Sequence, residues 1–201
     1  MTRFVTYSGR IFDLADPQPE MFSIRDIAHN LARIPRFGGN LVDGYSVAQH
    51  SVLVSDELAR AGATPEMVAE GLMHDLAEAY TGDFPRPLKE EVPELWELER
   101  RILEIGLPVF GLGPGMSQQV WEMDNRACVT EAKLLYPEHV VRDERGLPAD
   151  LPWPDAPPLE HLAEITCWSA ISAEAIFLER FERRFARFRP GIFKKQMEEN
   201  Q

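Results

Sequence analysis

Between Ser23 and Phe188, apolar residues recur at three- and four-residue intervals bounded by residues that start and stop helices, and strand signals are almost absent. The clearest unit is Thr64-Pro65-Glu66. Thr64 suits an N-cap, and Pro65 suits the first helical position because its missing N–H costs nothing there. Val68, Leu72, Leu76 and Ala79 then carry one apolar stripe to Gly82. Ser23 opens a helix with Ile24, Ile27, Ala28, Leu31 and Ile34 on one face, ended by Pro35. Ser46 opens another with Val47, Val54, Leu58 and Ala61, with Gly62 just past its end. Further helices are predicted over about 93–107 and 117–136. A last one over 159–188 has Leu162, Ile165, Ile171, Phe177, Phe181 and Phe185 on its apolar face. Prolines and glycines make 108–115 a connection, and Pro148 to Pro158 lie in a long Pro-rich loop, placed at 146–158. β-Favouring residues on either side of Ser8-Gly9 read as a short hairpin. About six helices without a repeat predict an all-α bundle, a single domain over 1–201.

Composition removes several functions. With 201 residues the chain has room for one sizeable core, and 44% hydrophobic with 27% charged residues is ordinary for a globular protein. A net charge of −12 without a basic stripe repels a phosphate backbone, so a nucleic-acid polymer is not an expected ligand. No segment is long and apolar enough to span a bilayer, and Met1 to Tyr7 lack the apolar stretch of a secretory signal. Cys128 and Cys167 stand far apart and form neither a disulfide framework nor a thiolate zinc site, so they read as small core residues of a cytoplasmic protein. A small phosphate substrate stays compatible with this acidity, because a divalent cation and one or two arginines reverse the local field of a pocket.

The chemistry concentrates on three predicted helices. His50 lies in the second, the doublet His74-Asp75 in the third and Asp124 in the fifth, so each can project a metal-binding group toward one point of the bundle interior. Two imidazoles and two carboxylates form a mixed N/O donor set that suits divalent transition metals or manganese and leaves positions open for water and phosphate oxygens. Glu78 is one helical turn from His74 and Asp75, where it can orient or deprotonate a water, and Thr81-Gly82-Asp83 turns another carboxylate back toward the pocket. Four ionisable groups within ten residues are costly to bury without a compensating cation.

His50 within Ser46-Val47-Ala48-Gln49-His50-Ser51, followed by His74-Asp75 and Asp124, resembles the HD-domain metal-dependent phosphohydrolases. The stretch from His74-Asp75-Leu76-Ala77-Glu78 through Thr81-Gly82-Asp83-Phe84-Pro85-Arg86-Pro87-Leu88-Lys89 is similar to that of bacterial 5′-deoxynucleotidases. The likeness is good over about 24–136, taken as the metal-site core. It implies an HD-domain helical bundle, a cation (Mn, Co, Mg, Zn or Fe) on His50, His74, Asp75 and Asp124, and a homo-oligomer. It also implies phosphate binding by an arginine upstream of the first histidine, the place of Arg33. The residue after that arginine, usually tryptophan in those enzymes, is Ile34 here. Thr6-Tyr7-Ser8-Gly9-Arg10 and Arg36-Phe37-Gly38-Gly39 instead resemble phage-type relatives, some of which hydrolyse deoxynucleoside triphosphates such as dATP.

The expected activity is hydrolysis of deoxyribonucleoside 5′-monophosphates to deoxynucleoside and phosphate. The alternatives are release of tripolyphosphate from a triphosphate and a non-catalytic nucleotide-binding module. Glu78, Asp83 and Arg33 are the candidate catalytic residues, and Arg33 and Arg36 can fork onto phosphate oxygens. Lys89 and Lys133 read as surface charges, the run Lys89 to Glu104 as a solvated helix face, and His29, His139 and His161 as structural.

Overall fold

A computed structural model describes residues 2–189 together with Gly191 and Gln196. A two-stranded antiparallel hairpin, β1 (Arg3–Val5) and β2 (Ile11–Asp13), precedes eight helices. These are α1 (Ile24–Leu31), α2 (Val47–Arg60), α3 (Pro65–Met73), α4 (Glu78–Thr81), α5 (Arg86–Glu91), α6 (Glu94–Val109), α7 (Gln118–Leu135) and α8 (Ala170–Phe188). The fold is all-α, as the periodicity requires. Among the described residues no helix is long and apolar enough to cross a membrane.

The caps sit where the sequence puts them. Ser46 Oγ accepts from the Gln49 N–H and Thr64 Oγ1 from the Met67 N–H, each satisfying one of the N–H groups left over at a helix start. The hairpin is anchored to α1 through Asp26. This carboxylate is fully buried and accepts from Thr6 Oγ1 (2.8 Å), Ser8 Oγ (2.8 Å) and the Ser8 N–H (2.6 Å). Phe12 of β2 then stacks on Tyr80 of α4 at 3.9 Å.

α2 packs against α3, α7 and α8 and forms the centre of the bundle. Phe177, Phe181 and Phe185 of α8 are fully buried, with Phe181 stacked on Phe185 at 4.1 Å and edge-on to Phe110. Burying each such ring contributes about 1.5–3 kcal/mol. Asp56 of α2 ties α8 down from outside, accepting from Arg180 Nε at 2.9 Å and Arg184 Nη2 at 2.5 Å.

Several boundaries differ from the sequence reading, among them the end of α6, which runs through Pro108 to Val109. The third helix stops at Met73, and His74 to Ala77 continue as tight turns in which Leu76 N–H donates to Met73 O and Glu78 N–H to Asp75 O. A short helix, α5, lies between the third and fourth predicted helices, and Pro85 and Pro87 both stand at its N-terminus, where a missing N–H is harmless. The last helix begins at Ala170, not at 159. Residues 159–168 stay irregular because their backbone is satisfied by distant side chains. Leu159 N–H donates to Thr130 Oγ1 (2.8 Å), Trp168 N–H to Gln49 Oε1 (2.9 Å), and Gln49 Nε2 to Thr166 O (2.8 Å). Leu159 and Leu162 accordingly pack on Val54 and Leu58 of α2, and Ile171 stands exposed.

Gly106 of α6 packs directly against the core. A Cβ there would stand 2.5 Å from the Phe22 ring and 2.8 Å from Leu76 Cδ2. Gly106→Ala is expected to destabilise the protein by about 1–3 kcal/mol through overpacking, read as a lower denaturation midpoint with an unchanged m-value.

Candidate metal centre

His50 projects from the first turn of α2 and is fully buried. Its Nδ1 lies 2.5 Å from Glu131 Oε1, so its Nε2 is turned the other way, 3.0 Å from Asp124 Oδ1 and 3.3 Å from His74 Nε2. His74, at the end of α3, donates from Nδ1 to Gly71 O (2.8 Å), which likewise frees its Nε2. Donor atoms of His50, His74 and Asp124 lie within 4.8 Å of one another, a grouping that could hold a metal ion. Asp75 joins them, with Oδ1 3.3 Å from His74 Nε2 and Oδ2 3.6 Å from His50 Nε2.

These residues fit a cation. Each imidazole has committed Nδ1 elsewhere and presents Nε2, the arrangement second-shell acceptors impose on metal-ligating histidines. Asp75 Oδ2 is buried without a hydrogen-bond partner. Two ring nitrogens facing each other at 3.3 Å and an orphaned carboxylate oxygen are relieved together by one divalent ion.

Arg36 supplies the nearest fixed positive charge. Its Nη2 donates to Glu131 Oε2 at 3.2 Å, and its Nη1 lies 3.9 Å from both Asp75 Oδ2 and Asp83 Oδ2. Arg36 N–H donates to Tyr45 O (2.8 Å), and the next three residues all have positive φ: Phe37 at 54°, Gly38 at 61° and Gly39 at 78°. A left-handed phenylalanine is strained, and here the strain turns the Phe37 ring toward Tyr136 and Trp153. On the other side, Lys89 Nζ lies 3.6 Å from Glu78 Oε1 and donates to Glu99 Oε2 at 2.8 Å.

Burial and crowding set the protonation states. Burial pushes the Glu78 carboxyl well above its ordinary range, aided by Asp75 and Asp83 and partly offset by Lys89 and Arg36. Burial also raises Asp83, with Arg36 opposing it and Asp75 adding to it. For Glu131, burial is outweighed by the charges of His50 and Arg36, which hold the carboxyl below its usual range. Burial and Arg36 disfavour a charged His50 ring, yet Glu131 and Asp124 overcome both and raise its pKa to about 10.

A cavity of about 530 Å³ opens onto this centre. Asp75, Glu78, Asp83, Asp124 and Arg36 line it, whereas His50 and Glu131 lie behind its wall. Aromatic rings also line it: Phe37, Tyr136 and Trp153, which stand against one another, together with Trp96 and Trp121. Trp153 comes from the Pro-rich loop and is fixed there by its Nε1–H bond to Pro148 O (2.8 Å).

His50, His74, Asp75, Asp124, Glu78, Asp83 and Arg36 are therefore brought together. Arg33 is not. Its Nη1 donates to His29 O and to Glu174 Oε2 of α8, both at 2.7 Å, and it lines a different depression with Pro35, Ser46 and Thr166. Lys89 and Glu99 are buried and face the cavity, so the run from Lys89 is not a wholly solvated face. Cys128 also lines the cavity rather than the core. Sequence reasoning missed Glu131 as a site residue, although an acid in the apolar register of α7 two turns after Asp124 is a signal of it. Tyr45, which donates to Glu131 Oε1 at 2.9 Å, carries no such signal.

Titration of metal-free protein with Mn²⁺ or Zn²⁺ is expected to show about one equivalent per chain, and His74→Ala or Asp124→Ala to abolish it. The His50 ring is held protonated below about pH 10 in the absence of metal, so uptake displaces a proton. Apparent affinity should therefore rise from pH 6 to pH 9, with proton release measurable calorimetrically in buffers of different ionisation enthalpy.

Two curated relatives are similar to this chain. The uncharacterized protein YfdR of Escherichia coli (strain K12) is 33% identical over 183 residues, covering 90% of this chain and 94% of YfdR. The uncharacterized protein RCAP_rcc00048 of Rhodobacter capsulatus is 40% identical over 111 residues, 50% of this chain and 57% of that protein. No protein-family model matches. Among solved structures, the cyanophage S-2L HD phosphohydrolase (DatZ) bound to dA and one catalytic Zn²⁺ ion is similar, with 22% identity, 86% of this chain and 91% of that chain covered, and a TM-score of 0.41.

Proposed function

The chain belongs to the family of Escherichia coli YfdR, and from the geometry of its histidine–carboxylate centre we propose that it is an HD-type metal-dependent phosphohydrolase of deoxynucleotides. Deoxyribonucleoside 5′-monophosphates are the favoured substrates. The observation that carries this reading is the convergence of His50, His74, Asp75 and Asp124 beside Glu78, Asp83 and Arg36, all of which except His50 line one cavity.

His50, His74, Asp75 and Asp124 would hold a divalent cation, which would supply Lewis-acid polarisation of a phosphoryl oxygen when bound. Glu78 takes the proton of the attacking water, and its raised pKa makes it a stronger base than an exposed carboxylate. Lys89, 3.6 Å away, opposes that rise and favours the ionised form of Glu78. Arg36 meets the charge that grows on the phosphoryl oxygens, the role the sequence resemblance gave to Arg33. Asp83, whose pKa burial also raises, is assigned the proton transfer to the departing 5′-oxygen. The aromatic rings lining the cavity offer flat apolar faces to a nucleobase.

Arg86 and Arg100 line the same cavity and favour a second reading, in which a triphosphate is cut at its α-phosphorus and tripolyphosphate leaves. Incubation with Mn²⁺, Co²⁺ or Mg²⁺ and a panel of deoxy- and ribonucleoside mono- and triphosphates separates the two by product. Inorganic phosphate from deoxynucleoside monophosphates supports the first reading, and tripolyphosphate supports the second. Failure to cleave any nucleotide with any metal would overturn both.

Glu78→Gln is expected to lower kcat by about 10²–10⁴-fold while leaving metal stoichiometry intact. Lys89→Met removes a charge that lowers the Glu78 pKa, so the acid limb of the rate profile should move to higher pH, with activity recovered on the alkaline side.

A further inference from the structure

One carboxylate behind the cavity wall contacts both kinds of group the proposed chemistry needs. Glu131 of α7 is fully buried, and its two oxygens are divided between the two sides of the site. Oε1 lies 2.5 Å from His50 Nδ1 and accepts the Tyr45 hydroxyl at 2.9 Å, while Oε2 accepts from Arg36 Nη2 at 3.2 Å. A buried acid with this many partners is too expensive to be incidental packing. It stands seven residues after Asp124, two turns along the same helix, so one face of α7 carries a proposed ligand and the group behind another.

We infer that Glu131 is a positioning residue. It fixes His50 with hydrogen on Nδ1 and Nε2 bare toward the cation, and the same carboxylate holds the Arg36 guanidinium at the edge of the site, so ligand and anion-binding charge are placed by one group. This rests on the metal reading proposed above. The chemistry is local: a neutral imidazole has one N–H and one lone pair, and the partner of one nitrogen decides which nitrogen is free to ligate. With glutamine in place of Glu131 only one acceptor oxygen remains, so either an NH₂ group faces His50 Nδ1 and its N–H loses its acceptor, or an NH₂ group faces Arg36, and in both cases Arg36 loses its shortest ion pair.

The test compares wild type with Glu131→Gln, a near-isosteric change. Affinity for Mn²⁺ or Zn²⁺, measured by competition with a chromophoric chelator, should fall about 10–100-fold in E131Q, with stoichiometry and far-ultraviolet dichroism unchanged. Nitrogen-15 spectroscopy of wild-type protein labelled at histidine, loaded with Zn²⁺, should show His50 protonated at Nδ1 and metallated at Nε2. This measurement needs no variant and stands even if E131Q fails to fold. Wild-type affinity in E131Q, or a metallated Nδ1 on His50, would overturn the inference while leaving the metal reading intact. A wild-type protein that takes up no cation would overturn both.

Discussion

Asp75, Glu78, Asp83, Asp124 and Glu131 are gathered around two facing imidazole nitrogens, with one guanidinium and one ammonium among them. Coulomb repulsion in so poorly solvated a place is the constraint on which the rest of the site depends. Burial, with that repulsion added, holds Glu78 and Asp83 above the ordinary carboxylate range, and Arg36 approaches three of the five acids rather than one. It also explains why an additional positive charge between the Nε2 atoms suits the centre.

The bundle makes such crowding tolerable by supplying rigid walls. α2 carries His50, α7 carries Asp124 and Glu131, and α3 ends just before His74, all anchored by apolar contacts that do not involve the site. α8 closes the far side with Phe177, Phe181 and Phe185, and the Asp56 pair with Arg180 and Arg184 reinforces it. The tight turns after Met73 then orient the His74-Asp75 doublet and deliver Glu78 at the start of α4. Fold and site are thus separable in energy: the core stabilises the helices, and the helices hold charges that would otherwise repel one another apart.

Much of this was legible in the sequence because helix caps and apolar periodicity are local. Ser46 and Thr64 act as caps as read, and His50, His74, Asp75 and Asp124 stood out as polar groups at interior positions. Long-range contacts were illegible. Nothing near residue 159 reveals that Thr130 and Gln49 will satisfy the backbone of the following ten residues and postpone the last helix. Arg33 and Arg36 are equivalent as guanidinium donors in sequence. The turn at Pro35 sends one to Glu174 on α8 and the other to the acidic cluster. Lys89 looked solvated within an acidic run, and its burial depends on Glu78 and Glu99, which meet only in the folded chain.

The most direct measurement is anomalous X-ray diffraction from crystals of the protein loaded with Mn²⁺ or Zn²⁺, collected at the metal edge. The account predicts one strong peak per chain bounded by His50 Nε2, His74 Nε2 and the carboxylates of Asp75 and Asp124. A peak elsewhere, or an ion on His50 Nδ1, would contradict it.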